Sequence, residues 1–305
     1  MNTPILLDGG MGRELKRSGA PFRRPEWSAL ALMEGPEHVS RAHQAFVDAG
    51  AQVITTNAYA VVPYHIGDER FAADGARLAA LAAELARGVA DQHNQSNDAS
   101  SRSVQVAGCL PPAFGSYRPD LFDGEQAPEI YKVLIESQAA HVDFWLAETL
   151  SCVEEARVIA EQVAVLAPKP LWLSFTLSDD PVAEGETPTL RSGQTVEQAL
   201  ETALAAGAEA LLFNCSQMER MAPALQTLKA LAPALRIGVY ANNFEPIEAS
   251  VKVAETGVEM RDDVAPEIYG QVALEWIALG ASIVGGCCGI GPEHIQGVRK
   301  AIDGM

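Results

Sequence analysis

The stretch TVEQALETALAAGAEALLFNC, residues 195–215, contains one complete helix–strand unit and the residue that follows it. Its first part has the pattern of an amphipathic helix and ends at Gly207, where a helix can stop and the chain can turn. ALLFN, at 210–214, is a continuous apolar run, as expected of a parallel strand that is buried on both faces. Cys215 then stands at the carboxyl end of this predicted strand. The stretch therefore predicts a parallel α/β fold with a cysteine at a strand end.

The same alternation recurs along the chain. Strands are predicted at residues 5–7, 52–57, 104–108, 144–148, 171–176, 210–214, 237–241 and 282–286. Helical patterns lie between them, as at 68–90, and the tripeptides at 49–51 and 279–281 place a glycine just before a strand, as Gly207 does. Eight strand–helix units favour a (β/α)8 barrel, predicted as one domain over residues 1–305. A doubly wound α/β sheet shares these local patterns and is the alternative.

The composition is that of a globular protein with a sizeable core and a strong acidic excess. Hydrophobic residues make up 48% of the chain, and 22 Lys and Arg stand against 40 Asp and Glu, for a formal net charge of −18. This excess repels phosphate backbones and anionic lipids, so neither nucleic acid nor a membrane surface is expected as a partner. No apolar run reaches the roughly 18 residues of a membrane span, and the N-terminus lacks the features of a signal peptide. A cytoplasmic location is expected.

Three of the five cysteines follow predicted strands in a way that would bring them together. Cys215 follows the sixth strand, and Cys287 and Cys288 follow the eighth, within the glycine-framed stretch GGCCG at 285–289. In a barrel both strand ends meet on one rim. Three thiolates with one open position describe a catalytic Zn2+ site. The flanking glycines would permit the backbone bend that two neighbouring ligands need.

Other interpretations of the cysteines stay open on the sequence alone. Free cysteines are commonly small buried hydrophobic residues, and a vicinal pair could also serve redox chemistry. Cys109 and Cys152 follow the third and fourth strands too, but they are left outside the metal set. Cys152 opens a predicted helix, whereas Cys109 is a candidate for the pocket wall. The odd number of cysteines fits a reducing compartment better than a disulfide framework.

Several motifs at the predicted strand ends resemble those of the homocysteine S-methyltransferase family. They are LLDGGMGREL near the N-terminus, TTNAY, AETL, NCS and YANNFEP after the second, fourth, sixth and seventh strands, and GGCCGIGPEHI near the C-terminus. They occur in the family's order, and the resemblance runs from about residue 6 to residue 302. The resemblance implies a (β/α)8 enzyme that uses Zn2+ to transfer a methyl group to the sulfur of homocysteine, giving methionine.

The resemblance also implies roles for particular residues. Cys215, Cys287 and Cys288 match the zinc ligands. Glu148, in AETL, matches the acidic residue that holds the homocysteine ammonium group, and Asp8, in DGG, matches an acidic residue near the substrate. The ordinary alternatives are that Glu148 pairs with an arginine and that Asp8 anchors the first loop. Asn214, which precedes a ligand cysteine, is expected to bind substrate or to hydrogen-bond around the site. Further pocket candidates at strand ends are Asn57, Tyr59, Tyr240 and Asn242, and His294 is expected to be structural.

The donor side of the predicted pocket departs from the family's pattern. YANNF stands where the family often has YPNAG, and Leu212 and Phe213 precede Asn214 where a small residue is usual. The predicted donor is a sulfonium or ammonium compound, S-methylmethionine first, bound at an acidic, aromatic-lined rim. The aromatic candidates are Tyr59, Tyr117, Trp145 and Phe175.

Two alternatives to a small donor stay open. One is a corrinoid- or folate-linked enzyme that works with a separate protein, since this chain has no room for a cobalamin domain. The other is a non-catalytic thiol- or metal-binding barrel that has lost its donor site. Formation of a homo-oligomer is left open as well.

Overall fold

Eight parallel strands form a closed barrel in the computed structural model, which describes residues 3–96, 102–183, 185–246 and 258–305. The strands are β1 Ile5–Leu6, β2 Val53–Thr55, β3 Gln105–Leu110, β4 Phe144–Leu150, β5 Leu171–Phe175, β6 Ala210–Asn214, β7 Arg236–Ala241 and β8 Ile283–Gly286. From β2 to β8 each strand pairs with the next, and β8 pairs with β1. Leu7 and Val53 form a parallel bridge that joins β1 to β2 and completes the ring. The predicted (β/α)8 barrel is confirmed, because an open doubly wound sheet would leave two unpaired edges.

Helices surround the barrel and connect its strands. They are α1 Met11–Arg17, α2 Ala29–Glu34, α3 Pro36–Asp48, α4 Pro63–Ile66, α5 Asp68–Ser96, α6 Ala127–Gln138, α7 Val153–Leu166, α8 Val196–Ala205, α9 Met218–Leu231, α10 Pro266–Ala278 and α11 Pro292–Asp303. Gly50, Gly207 and Gly280 follow α3, α8 and α10 with φ of +104°, +63° and +106°. These are the glycines of the predicted helix stops, and only glycine adopts such angles without steric strain. None of the helices in the described ranges has the length and apolar character needed to cross a bilayer.

The end of α5 differs from the sequence expectation. The polar stretch at 91–103 predicts a solvated connection, but α5 continues to Ser96, while residues 97–101 lie outside the described ranges. The Asn94 side chain accepts a hydrogen bond from the backbone N–H of Val104 at 2.8 Å and donates one to its carbonyl at 2.9 Å. This pairing joins the last turn of α5 to the entry of β3, so a stretch with little apolar character is still helical.

Two hydrophobic layers meet at the strands. Leu146 and Trp172 belong to the layer inside the barrel, whereas Phe46 and Trp145 belong to the larger layer between the strands and the helices. The neighbours Trp145 and Leu146 face opposite layers because successive residues of a strand point to opposite sides. Both faces of the strands are therefore covered by apolar side chains. The carboxyl ends of the strands are the face on which a barrel of this type builds its site.

One buried side chain makes the stability of the fold depend on pH. His43 lies in α3 with its side chain fully buried, and neither ring nitrogen has a hydrogen-bond partner within the described residues. Burial lowers the pKa of this imidazole from 6.5 to about 3, because the charged ring would lose its hydration there. As the pH falls below about 6.5, the unfolded chain gains a proton that the folded chain does not bind, so stability is lost.

Replacing this histidine should remove that loss. Between pH 7.5 and pH 5 the wild-type free energy of unfolding should fall by about 2 kcal/mol through His43 alone. His43→Leu should lack this contribution, so its stability should change less over the same interval. Urea unfolding at the two pH values measures the difference, and an identical pH dependence in both proteins would contradict the assignment.

Candidate active site and metal centre

Three cysteine sulfur atoms meet at the carboxyl ends of β6 and β8. The backbone N–H groups of Cys215 and Cys287 donate to the carbonyls of Tyr240 and Ala241, at 3.2 and 2.9 Å, so both strand ends are bonded to β7 between them. The Sγ atoms of Cys215, Cys287 and Cys288 all lie within 4.8 Å of one another. Ligand sulfurs around a tetrahedral Zn2+ are about 3.8 Å apart, so the group has the size of a metal site. The convergence that the sequence predicts is observed, and the ligand role stays a prediction.

The pKa values of the three thiols are shifted in opposite directions. Burial would raise the pKa of Cys215, but hydrogen bonds from Cys287, Cys288 and Tyr117 hold it well below its usual value. The hydrogen bonds to Cys215 raise the pKa values of Cys287 and Cys288 well above the usual range. One thiolate is thus stabilised by the donors around it. A soft cation would replace the two remaining protons, so this donor set fits a thiolate-bound metal.

The glycines beside the paired cysteines mainly provide room. A Cβ on Gly285 would lie 2.5 Å from the Cβ of Leu7, and one on Gly286 would overlap Cγ2 of Ile290. Of the three glycines in GGCCG, only Gly289 has a positive φ, +84°. The expectation of unusual backbone angles is therefore confirmed for Gly289 alone. At the other two positions the absence of a side chain allows β8 to pack closely against its neighbours.

Two carboxylates lie in the same pocket as the thiols, Asp8 buried and Glu148 half-buried. Asp8 accepts a hydrogen bond from the backbone N–H of Thr55 at 2.7 Å. Glu148 accepts one from the Cys109 thiol at 3.1 Å and one from the Tyr240 hydroxyl at 3.3 Å. Burial raises the pKa of Asp8 to about 8 and that of Glu148 to about 7. Neither carboxylate is paired with a basic side chain of the described residues, so the alternative of a Glu148–arginine pair is not observed.

These groups line one pocket with a volume of about 410 Å³. Seven of the predicted site residues line it: Asp8, Asn57, Glu148, Cys215, Tyr240, Cys287 and Cys288. The eighth, Asn214, is fully buried and lies behind the wall. The pocket thus brings together the predicted metal ligands and the predicted substrate contacts, whose roles the geometry alone does not test.

Asn214 supports the wall instead of lining it. Its Oδ1 accepts hydrogen bonds from the Thr149 N–H at 2.8 Å and the Ser174 hydroxyl at 2.7 Å. Its Nδ2 donates to the Thr149 hydroxyl at 2.8 Å and lies 3.7 Å from Sγ of Cys287. Asn214 therefore fixes Thr149, which follows Glu148, and contacts a cysteine from behind, while its predicted role in substrate binding stays a prediction.

The charges at the mouth of the pocket differ from the expectation. Four cationic side chains line its outer part: Arg13, Lys16, Arg23 and Arg24. Three of them are exposed and Arg13 is half-buried, whereas Asp8 is buried and Glu148 is half-buried. The expected acidic rim is therefore wrong, because the acidic groups form the floor. The basic residues of MGRELK and FRRPEW were visible in an otherwise acidic sequence, but nothing in it showed that both segments reach the pocket.

Two of the four aromatic residues proposed for donor binding lie in the pocket, and their role there stays a prediction. Tyr59 and Tyr117 line the pocket. Trp145 and Phe175 are fully buried in the outer layer, because their strand positions face the helices and not the barrel interior. The choice of Trp145 and Phe175 as donor-binding aromatics is therefore wrong.

Cys152 and His294, which the sequence analysis left outside the metal set, make hydrogen bonds at the starts of helices. Cys152 is the residue before α7, and its backbone N–H donates to Glu155 at 3.3 Å. His294 accepts a hydrogen bond at Nδ1 from the N–H of Gly291 at 3.2 Å, and its Nε2 lies 2.9 Å from the carbonyl of Val264. The structural role expected for His294 is confirmed.

Sequence reasoning missed a chain of contacts behind Cys215. The Tyr117 hydroxyl lies 3.0 Å from Sγ of Cys215. The guanidinium of Arg191 lies 4.6 Å from the centre of the Tyr117 ring, and Arg191 pairs with Asp179 at 2.7 Å. No spacing in the sequence could have shown these contacts, because they join the loops that follow three different strands.

A closed (β/α)8 barrel with a thiol-lined pocket at the carboxyl ends of its strands defines a barrel enzyme, and comparison with known proteins specifies its class. The homocysteine S-methyltransferase family model matches residues 5–302, so the chain belongs to this family of methyltransferases. The homocysteine S-methyltransferase of Escherichia coli (strain K12) is 31% identical over 310 residues, which cover 97% of this chain and 94% of that protein. A selenocysteine methyltransferase of Astragalus bisulcatus is 26% identical over 345 residues, covering 99% of this chain and 97% of that protein.

Solved structures agree with the membership of this chain in the homocysteine S-methyltransferase family. The metallated form of the homocysteine methyltransferase MmuM from Escherichia coli matches with a TM-score of 0.78 and 26% identity, covering 98% of this chain and 96% of that chain. The oxidized form of MmuM matches with a TM-score of 0.79 and 25% identity, with the same coverage. A relative of this fold thus exists in a form described as metallated.

Proposed function

We propose that this protein transfers a methyl group from a small sulfonium or ammonium donor, S-methylmethionine first, to the sulfur of homocysteine, with Zn2+ held by Cys215, Cys287 and Cys288. One observation carries the proposal: three converging thiols share a pocket with the carboxylates of Asp8 and Glu148, which have no basic partner among the described residues. The family membership supports homocysteine as the acceptor. The choice of Zn2+ follows from its affinity for thiolates.

Homocysteine, the proposed methyl acceptor, would be held both by the metal centre of the three cysteines and by the two carboxylates. When bound, Zn2+ lowers the pKa of a thiol that enters its open position and so supplies a nucleophile at neutral pH. Glu148 and Asp8 would bind the ammonium group of homocysteine. This group would supply the positive charge that neither carboxylate finds among the described side chains. The Tyr240 hydroxyl, 3.3 Å from Oε2 of Glu148, keeps that carboxylate oriented.

The transfer itself needs few further groups from the protein. The homocysteine sulfur attacks the methyl carbon of the donor in line with the bond that breaks. The electron pair of that bond leaves on the donor heteroatom, which becomes neutral, so no proton has to be supplied. The role of the pocket is to align the two substrates and to exclude water.

The charges of the pocket favour a zwitterionic donor. Arg23 is paired with Glu26 at 3.1 Å, but a donor with only a positive charge would still be repelled by Arg13 and Lys16. A donor that also carries a carboxylate can place that group near Lys16 and Arg13, with its sulfonium or ammonium group deeper in the pocket beside the rings of Tyr59 and Tyr117. S-methylmethionine has both charges, which supports it as the first donor to test.

Removing one proposed ligand should abolish metal binding and turnover together. Cys288→Ala should bind less than about half of the single Zn2+ expected per chain and should not methylate homocysteine with any donor. Zinc content by elemental analysis and methionine formation from S-methylmethionine are the measurements. Cys152→Ala is the matched control, because Cys152 is buried but lies outside the pocket, and it should retain both properties.

The outcomes separate the proposal from its alternatives. Wild-type zinc content or turnover in Cys288→Ala would contradict the ligand assignment. Turnover of the wild type only with an added methylated corrinoid protein would contradict the small-donor proposal. Homocysteine binding without turnover on any donor would indicate the non-catalytic barrel. Selenocysteine should be tested as a second acceptor, because a relative is named for it.

Lys16 allows a test of the zwitterionic donor. Lys16→Gln should raise the KM for S-methylmethionine by about two- to fivefold, the effect of losing one exposed charge pair. The KM for trimethylsulfonium, which has no carboxylate, should stay the same or fall. Lys300→Gln, an exposed lysine on α11 outside the pocket, is the matched control. Equal KM changes for both donors would show that Lys16 does not contact the carboxylate.

A further inference from the structure

We infer that Tyr117 is a positioning residue of the metal centre: its hydroxyl donates a hydrogen bond to Sγ of Cys215, and the Arg191–Asp179 pair holds the tyrosine in place. The inference rests on the proposed function in one respect, which is that Cys215 is taken as a metal ligand. It adds a group that controls the geometry and reactivity of one ligand sulfur.

The hydroxyl of Tyr117 contacts Cys215 at two atoms. It lies 3.0 Å from Sγ and 3.2 Å from the carbonyl oxygen of the same residue. The carbonyl also accepts a hydrogen bond from the Thr176 hydroxyl at 3.3 Å. The sulfur is the nearer of the two acceptors for the Tyr117 proton. The side chain and the backbone of Cys215 are thereby fixed together.

The backbone conformation of both residues points to the same role. Among the described residues, the non-glycine residues with positive φ are Trp27, Tyr117, Thr149 and Cys215, at +47°, +63°, +61° and +51°. All four line the pocket. A non-glycine residue in this region is strained and persists only where its surroundings fix it. Tyr117 and Cys215 are two of these residues and contact each other, so their hydrogen bond helps to keep both conformations.

Arg191 and Asp179 fix the position of the Tyr117 ring. Their side chains are 5% and 2% exposed and pair at 2.7 Å. The planar guanidinium lies 4.6 Å from the ring centre, the arrangement of a cation–π contact. Neither residue lines the pocket, so the pair reaches the metal centre through its contact with the Tyr117 ring.

The hydrogen bond would also protect Cys215 from the donor. A methylating substrate in this pocket meets protein sulfurs as well as the homocysteine sulfur. If Sγ of Cys215 attacked the donor, a new S–CH3 bond would form, the donor bond to the methyl group would break, and the ligand would be lost. An O–H group that donates to this sulfur withdraws electron density from it and makes it a poorer nucleophile.

The test compares two tyrosine variants in the full-length protein loaded with Co2+. Tyr117→Phe keeps the ring and removes the hydroxyl. Tyr131→Phe is the matched control, because Tyr131 is fully buried and donates to the carbonyl of Pro111 at 3.1 Å outside the pocket. The readouts are the thiolate-to-cobalt absorption band, the rate of Co2+ loss to a chelator, and the mass of the peptide that contains Cys215 after incubation with S-methylmethionine.

In Tyr117→Phe we expect the absorption band to move to lower energy, Co2+ loss to become about tenfold faster or more, and a methyl group to accumulate on Cys215. Tyr131→Phe should match the wild type in all three. A Tyr117→Phe spectrum and release rate equal to those of the wild type would overturn the inference. If Tyr117→Phe does not fold, Arg191→Lys, which removes the planar contact, should show the same changes to a smaller extent, and wild-type behaviour there would overturn it.

The experiment also distinguishes this inference from the proposed function. A wild-type protein that binds no Co2+ would overturn both the metal centre and the role of Tyr117. A wild-type protein that binds Co2+ and methylates homocysteine, together with an unaffected Tyr117→Phe variant, would overturn only the role of Tyr117.

Discussion

The site depends on the way in which β7 holds the ends of its two neighbours. The first residue after β6 and the first after β8 each donate a backbone hydrogen bond to β7, from Cys215 to Tyr240 and from Cys287 to Ala241. These bonds are ordinary ladder bonds of a parallel sheet, yet they set the separation of cysteines that are far apart in sequence. The barrel has to close for this to happen, and the bridge between Leu7 and Val53 closes it. A thiol site on this rim therefore follows from the closure of the barrel.

Around that cluster the pocket has a gradient of charge. The carboxylates of Asp8 and Glu148 lie at the buried end, and basic side chains lie at the mouth, in a protein whose overall charge is −18. Amino acids and their methylated derivatives carry a cation and an anion at fixed separation, so such a gradient can orient them. Loss of hydration in the pocket raises the pKa values of both carboxylates, and a bound ammonium group would supply a counterion for them.

Much of the fold and of the candidate site could be predicted from the sequence. All eight strands and the convergence of the cysteines were accessible, because buried parallel strands are continuous apolar runs and because their carboxyl ends share one rim. The errors have a common cause. Trp145 and Phe175 were assigned to the pocket although strand periodicity fixes only that neighbours face opposite sides, and not which side is the interior. The helix beyond residue 90 depends on Asn94 and Val104, and the contact between Tyr117 and Arg191 joins separate loops. Side-chain contacts of this kind leave no periodic trace in a sequence.

The central claim is that three protein sulfurs hold a zinc ion that has one position left for the sulfur of homocysteine. X-ray absorption at the zinc edge counts those sulfurs directly, in the zinc-loaded protein with and without homocysteine. The account predicts three sulfur ligands at about 2.3 Å without substrate and four with it. A sulfur count below three, or one that homocysteine leaves unchanged in a protein that turns it over, would contradict the account.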